Sequence, residues 1–510
     1  MSGSVWAGAA VVAVTAGYAL FSRRLATTAV SAPMVFTGCG IAIGPIGLGL
    51  LDLEQDAGPV LTLVEAALTL VLFTDAMAVR ARALRLGGFL PGRLLGIGLP
   101  LTIGAGWLLA WPLLPGLTLW ELALLGAVLA PTDAALGKTA VADRRVPALV
   151  RGGLNVESGL NDGMVLPFFV VFLAALPGTM ASEEGASGVF WRALVLSTAW
   201  GLAVGGLGGW LSCRSHARGW ISGDWRQTFV LAVAAGAYTV AVAFDGSGFI
   251  AAWVAGFAFG VALRRSGAAE GRGEAAAAAP SREPAEAPGK APAQEPAEAP
   301  GKAPAQEPAE APGKAPAQEP AEAPGKAPAQ EPAGAPGKAP AQEPDAVDDS
   351  AGLAEHLADL LASLSFLVFG AVLLGPTLDD LDWRIIVYAV LSLTVVRMLP
   401  VALSLARTGL ALPTVAYIGW FGPRGLASVV FGLLLVEEHV PGVQLLGRVI
   451  AATVALSILL HGMSAVVLAK RYGTWYGKAA ARRPRLREDL PGDGETGTPL
   501  DTVGRQRKKG

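Results

Sequence analysis

Acids, amides and hydroxyls concentrate at one place in this sequence. Asn155, Val156, Glu157, Ser158, Gly159, Leu160, Asn161, Asp162 and Gly163 follow one another inside a run, 147–175, that is otherwise almost wholly apolar. Ionisable side chains at membrane depth cost roughly 2.5–3.5 kcal/mol each on insertion scales, so their retention points to a function. On a helix Glu157 and Asn161 form one i, i+4 pair, and Ser158 with Asp162 forms another. Glu157 and Asp162 project about 140° apart and so serve different tasks. A solvated helix end beside Arg151 is the plainer explanation of the same residues.

Other polar groups coincide with backbone breakers. In the run 118–138, the apolar stretch Leu122 to Leu129 meets Ala130, Pro131, Thr132 and Asp133. Pro131 lacks the N–H that would close the preceding turn. Carbonyls freed there join the Thr132 hydroxyl and the Asp133 carboxylate as oxygen ligands for a small hard cation. A helix cap below a Pro kink explains Asp133 without any ion. Between 412 and 436 the sequence Gly419, Trp420, Phe421, Gly422, Pro423, Arg424, Gly425 describes a second interruption, this one carrying a cation; a plain Pro kink is its simpler alternative. Arg397, isolated in an apolar stretch, needs an anion, and Glu157 is the expected one; snorkelling to the surface near Arg407 would serve instead. Asp75, after Phe73 and Thr74, is a weaker candidate that a cap or a pairing with Arg80 also explains.

The elements that must position these residues are membrane helices. Apolar residues make up 53% of the 510 and charged ones 16%, and the charges cluster between long uncharged runs. At ~20 apolar residues per crossing, thirteen hydrophobic segments emerge: 4–21, 33–51, 60–79, 91–114, 118–138, 147–175, 189–212, 226–244, 248–263, 353–375, 384–407, 412–436 and 443–469. The first has no basic region before it and no small-residue cleavage site after it, so it reads as a retained helix. Loops containing Arg23 and Arg24, Arg80 to Arg85, Lys138 to Arg151, Arg214 and Arg218, Arg264 and Arg265, Arg407, and Lys470 with Arg471 alternate with acidic or neutral ones. With an odd count, the positive-inside rule puts the N-terminus outside and the C-terminus in the cytoplasm of an inner (plasma) membrane. If segments one to six and eight to thirteen are inverted repeats, the interrupted fifth and twelfth segments correspond, the pattern that marks a transporter's midplane site.

The expected organisation is a first helix group over 1–265, a linker over 266–350, a second helix group over 351–470 and a disordered cytoplasmic tail over 471–510. The linker holds five tandem copies of a 12-residue unit, EPAEAPGKAPAQ, from Glu283 to Gln342, with Gly334 replacing the second Glu of the last copy. With no apolar side chain larger than Ala or Pro, the copies cannot bury a core and are expected to form an extended cytoplasmic spacer. Cys39 and Cys213 lie in different segments, which leaves no disulfide framework or zinc cluster. Neither a nucleic-acid surface nor a cofactor motif is present. There is no nucleophile elbow or zinc-binding His pair, and His216, His356, His439 and His461 are scattered near the ends of segments, so an enzyme is not expected.

In its motifs the chain resembles the bacterial sodium/proton exchangers of the cation:proton antiporter-1 family. The resemblance is carried by Pro131-Thr132-Asp133, by the run Glu157 to Gly163, by Arg397, and by Gly422-Pro423-Arg424-Gly425, and it extends over 1–263 and 353–469. It implies an all-α membrane protein of thirteen helices, a homodimer, and a core of crossed discontinuous helices that moves against a dimerisation domain. It also implies that Asp162 binds cation and proton in competition, with Ser158 and the Thr132 region adding ligand oxygens. Glu157 would be held by Asn161 and Arg397, and Asp75 takes the place of another acidic ligand. One departure is Ala134, where relatives often carry Pro.

The expected activity is exchange of Na⁺, with Li⁺ or K⁺ as further candidates, for H⁺. Because the neighbour of Asp162 is the neutral Asn161, exchange is expected to be one-for-one and electroneutral. A K⁺/H⁺ exchanger uses the same oxygen chemistry; more distant rivals are a cation channel or an organic-anion carrier, given Arg424.

Overall fold

A computed structural model describes residues 2–25, 28, 30–50, 53–79, 89–133, 136, 143–177, 186–277, 346–482 and 486–489. Contacts separate a unit of residues 1–269 and 344–510 from a second of 270–343, of which only 270–277 is described, as helix. Among the described residues every regular element is helical. The order is α1 Ser2–Leu25, α2 Ala32–Ile43, α3 Leu53–Ala78, α4 Phe89–Leu113, α5 Leu119–Val128, α6 Ala148–Ala174, α7 Ala186–Ala217, α8 Gly223–Ala243, α9 Gly248–Ala277, α10 Ala346–Val368, α11 Trp383–Leu393, α12 Val395–Ser404, α13 Leu412–Trp420, α14 Leu426–Glu437 and α15 Val443–Arg482. α4 contains a π-helical stretch at Leu94–Gly98, and α10 continues through another at Phe369–Leu374.

Against the thirteen crossings expected from sequence, nine helices among the described residues are long and apolar enough to cross a membrane. Three more, Ala32–Ile43, Leu119–Val128 and Leu426–Glu437, are apolar but shorter. Their shortness has a local cause: α2 ends at Gly44, and Pro131 and Pro423 lie in the unwound stretches that follow α5 and precede α14. Large apolar side chains face outward along the long helices, among them Leu20, Leu108, Trp191, Leu207, Trp210 and Leu459. So much exposed apolar surface is stable against lipid and not against water. The interior combines a continuous apolar core, with Phe36, Leu68, Leu125, Phe169, Phe431 and Ile450 among its members, and a small set of buried polar side chains.

Three boundaries differ from expectation. α9 runs past 265 to Ala277 and α10 begins before 351, at Ala346. The repeat copies lie outside the described residues, as do Arg80, Arg82, Arg85, Lys138 and Ala134. The chain beyond 470, expected to be disordered, is helical to Arg482 and described again over Leu486–Asp489. Lys470 and Arg471 mark the edge of the apolar run but carry no instruction to stop a helix, and the first proline after them is Pro484.

Candidate functional site

The two interrupted segments cross at their unwound stretches and complete each other's backbone. α5 starts from a capping box, in which the Thr118 side chain accepts from the Glu121 N–H and Glu121 accepts from the Thr118 N–H. The other oxygen of Glu121, Oε1, accepts from the Gly442 N–H at 2.7 Å, which ties the start of α5 to the turn before α15. After Val128 the chain unwinds through Asp133; opposite it, residues 421–425 form a second unwound stretch between α13 and α14. The Asp133 N–H donates to the Pro423 carbonyl at 2.8 Å, and Asp133 Oδ2 accepts from the Leu426 N–H at 3.0 Å. Ser428 Oγ donates to the Val128 carbonyl at 2.7 Å. Polar backbone at this depth must find partners inside the protein, and here each break supplies them to the other.

Charge follows the same crossing. Asp133, at the N-terminus of α14, meets the positive end of that helix dipole, while Arg424 meets carbonyls beyond the negative end of α5. Arg424 is 0% exposed, and its Nη1 donates to the carbonyls of Ala130 at 2.9 Å and Pro131 at 3.2 Å. Its own N–H donates to Ser457 Oγ at 2.7 Å. Asp133 therefore uses one carboxylate oxygen as a cap across the crossing. Gly425 is required here, because a Cβ at that position would collide with the Asp133 carboxylate.

Arg397 and Glu157 form a buried bidentate pair, Nη1 to Oε1 at 2.6 Å and Nη2 to Oε2 at 3.0 Å. The guanidinium lies in the first turn of α12, just after an irregular residue, Thr394, that separates α11 from α12. A cation is unfavourable at a helix N-terminus, and the Glu157 carboxylate compensates it. Gly422 leaves room for that guanidinium, which a Cβ would strike.

On the next part of α6, Ser158 Oγ donates to the Thr132 carbonyl at 2.5 Å and Asn161 Nδ2 donates to Thr132 Oγ1 at 2.6 Å. Asn161 thus supports the break in the fifth segment, where the resemblance implied support for Glu157; the Glu157 oxygens are already matched by the fork of Arg397. Asp162 is 8% exposed, and its Oδ1, like Oδ1 of Asn161, accepts no hydrogen bond from any described group. Asp133 and Asp75 are its charged neighbours. Asp75 packs on α6 at Gly159, where a Cβ would stand 3.4 Å from its own. The end of α3 beyond Asp75 is fixed by Arg264, which donates to the carbonyls of Met77 at 3.1 Å and Val79 at 2.6 Å. The structure therefore gathers Thr132, Asp133, Ser158, Asn161, Asp162 and Asp75 in one neighbourhood, with the Glu157–Arg397 pair and Arg424 bracing the same crossing.

Sequence reasoning missed Ser457 and misplaced His461. His461 is 1% exposed well inside α15, with Nδ1 at 3.2 Å from Ser457 Oγ and 3.0 Å from the Ser457 carbonyl, not near a helix end. The spacing of the two, i and i+4 in an apolar run, was the available signal. Glu65 on α3 was also passed over; it is hydrogen-bonded to Tyr238 on α8.

Comparisons with known proteins identify the family and the fold. A family model described as "Sodium/hydrogen exchanger, transmembrane" matches residues 10–270 and 341–471, well over half of the chain. A protein named K(+)/H(+) antiporter NhaP, from Alkalimonas amylolytica, is 28% identical over 245 residues, 46% of this chain and 41% of that protein. K(+)/H(+) antiporter NhaP2 of Shewanella sp. strain MR-4 is 29% identical over 209 residues, 40% of this chain and 34% of its own length. The matched stretches thus span well under half of these relatives. Among solved structures, that of the sodium proton antiporter MjNhaP1 from Methanocaldococcus jannaschii at pH 8 superposes with a TM-score of 0.66 at 16% identity, covering 93% of this chain and 99% of that one; at that identity the likeness is one of fold. The chain belongs to the transmembrane sodium/hydrogen exchanger family.

Proposed function

We propose that this protein exchanges a monovalent cation, Na⁺ first and K⁺ or Li⁺ second, for H⁺ across the inner (plasma) membrane by alternating access, with cation and proton competing for Asp162. The observation that carries the reading is a buried carboxylate with one oxygen free of hydrogen bonds, beside the hydroxyl of Ser158 and the oxygens of Thr132 at the crossing of two broken helices. Ser158 spends its proton on the Thr132 carbonyl, so its oxygen lone pairs stay available to a cation. Asp162, Ser158 and Thr132 form the seat of the transported ion, and Asp75 adds negative charge from α3. Asp133, Asn161, Glu157, Arg397 and Arg424 hold the crossing in shape.

Competition at one carboxylate couples the two gradients. An ionised Asp162 is stabilised by a bound cation and a protonated one needs none; an empty ionised site is costly to carry through a low-dielectric interior. Because the neighbour Asn161 is neutral, each cycle moves one cation against one proton and no net charge. The reading extends to thirteen crossings, a cytoplasmic C-terminus and linker, and a homodimer. Exchange of K⁺ is the second reading, favoured by the names of the relatives from Alkalimonas and Shewanella.

The test uses everted membrane vesicles acidified by respiration and loaded with a pH-sensitive dye, with Na⁺, K⁺ and Li⁺ added in turn. Dequenching on Na⁺ addition is the expected result, and dequenching on K⁺ alone selects the second reading. No response to any of the three ions contradicts exchange.

A further inference from the structure

α13 is the short half-helix, Leu412–Trp420, that leads into the crossing, and nothing in its own sequence caps it. Its N-cap residue is Ala411, which offers no side-chain acceptor, and Pro413 follows in the first turn without an N–H. A helix of nine residues is marginal by itself, so its start needs an outside partner. That partner comes from beyond the membrane segments. Glu488, 2% exposed, accepts through Oε1 from the Ala411 N–H at 2.9 Å and from Thr414 Oγ1 at 2.7 Å. In an ordinary capping box the third helical residue carries the carboxylate that reaches back to the N-cap N–H. Here that position is Thr414, and the carboxylate is delivered 74 residues later in the chain. The negative charge also suits the positive end of the helix dipole.

The turn that carries Glu488 is anchored on several sides. Asp489 accepts from Tyr476 Oη at 2.5 Å and from the Leu486 N–H at 3.1 Å. The Arg487 guanidinium lies 5.0 Å from the centre of the Phe89 ring, at the start of α4. Tyr472 Oη donates to Thr414 Oγ1 at 3.0 Å, and its ring stacks on Tyr417 of α13 at 4.3 Å.

We infer that Glu488 is a positioning residue for transport: through the N-terminus of α13 it sets where the unwound stretch 421–425 crosses Pro131–Asp133. This rests on the proposed exchange activity. The short helix transmits the constraint directly, since Trp420 is followed at once by the residues that receive the Asp133 N–H and seat Arg424.

The full-length protein reconstituted in liposomes tests this, reading Na⁺-driven proton flux per folded molecule, the Na⁺ concentration for half-maximal rate, and hydrogen exchange of amides 412–420. Glu488→Ala is expected to slow flux roughly fivefold, the fold-change a lost cap is worth, to shift the half-maximal concentration, and to speed amide exchange in α13. Adding Ala411→Asp, which restores a cap from the helix itself, is expected to recover all three. Thr414→Val keeps the tail and removes one donor, so an intermediate loss is expected, and it reads the same contact should Glu488→Ala not fold. Wild-type flux in Glu488→Ala, or failure of Ala411→Asp to restore flux after α13 has regained its protection, overturns the inference. If the unmodified protein moves no protons with Na⁺, K⁺ or Li⁺, the exchange reading has failed, and the inference, which depends on it, falls too; the amide-exchange arm then reports on the cap alone.

Discussion

At the scale of single residues, buried charge is the deciding quantity. Glu157 and Arg397 satisfy each other by two hydrogen bonds in a site from which water is excluded. Replacing either alone by a neutral residue leaves the other unpaired, at a cost of about 3–5 kcal/mol. The double replacement Glu157→Gln with Arg397→Gln is expected to be more stable than either single change, by thermal unfolding in detergent; equal or lower stability of the double variant would count against the pair as a closed unit. Asp162 behaves differently because its charge is meant to be answered by an ion. Protons and cation compete there, so the apparent cation affinity weakens as pH falls, approaching about tenfold per pH unit once the group is mostly protonated. Proton flux measured against Na⁺ concentration at several pH values checks this, and a pH-independent half-saturation would contradict it. Both acids were legible in the sequence because an apolar run makes every charge conspicuous. The role of Asp133 was not, since whether a carboxylate caps its own helix or another's depends on a crossing that no local spacing encodes.

At the scale of elements, the crossing depends on two glycines in the unwound stretch 421–425, one leaving room for the Asp133 carboxylate of the other broken segment and one for the Arg397 guanidinium of α12. Gly425→Ala places a methyl group against the Asp133 carboxylate, and Gly422→Ala places one against Arg397. Each is expected to cost about 1–3 kcal/mol, the usual range for overpacking, and to reduce exchange along with stability; wild-type unfolding temperatures would show that the crossing relaxes without consequence. Pro131 and the Gly-Pro-Arg-Gly run announced the interruptions, because such residues cannot continue a helix. Other breaks gave no such notice. Thr394 divides α11 from α12 with no proline or glycine beside it, and the extension of α15 past Lys470 was hidden by charges that end an apolar run without ending a helix.

For the whole molecule, exchange turns on stoichiometry and on which parts of the chain contribute to it. The repeat copies from Glu283 to Gln342 can bury no core, so a chain lacking them is expected to exchange ions at an unchanged rate in liposomes; a lost activity would give them a role beyond spacing. One-for-one exchange predicts that an imposed membrane potential leaves Na⁺-driven proton flux unaltered, and acceleration by voltage would require a second charge per cycle. The central claim is that cation and proton are alternative occupants of Asp162. Purified protein in weakly buffered detergent solution, titrated with Na⁺ while released protons are counted, tests it most directly: the unmodified protein is predicted to release close to one proton per Na⁺ bound at a pH where Asp162 is mostly protonated, falling to about half a proton at the midpoint of its own titration, and folded Asp162→Asn none, whereas undiminished proton release from Asp162→Asn would contradict the account.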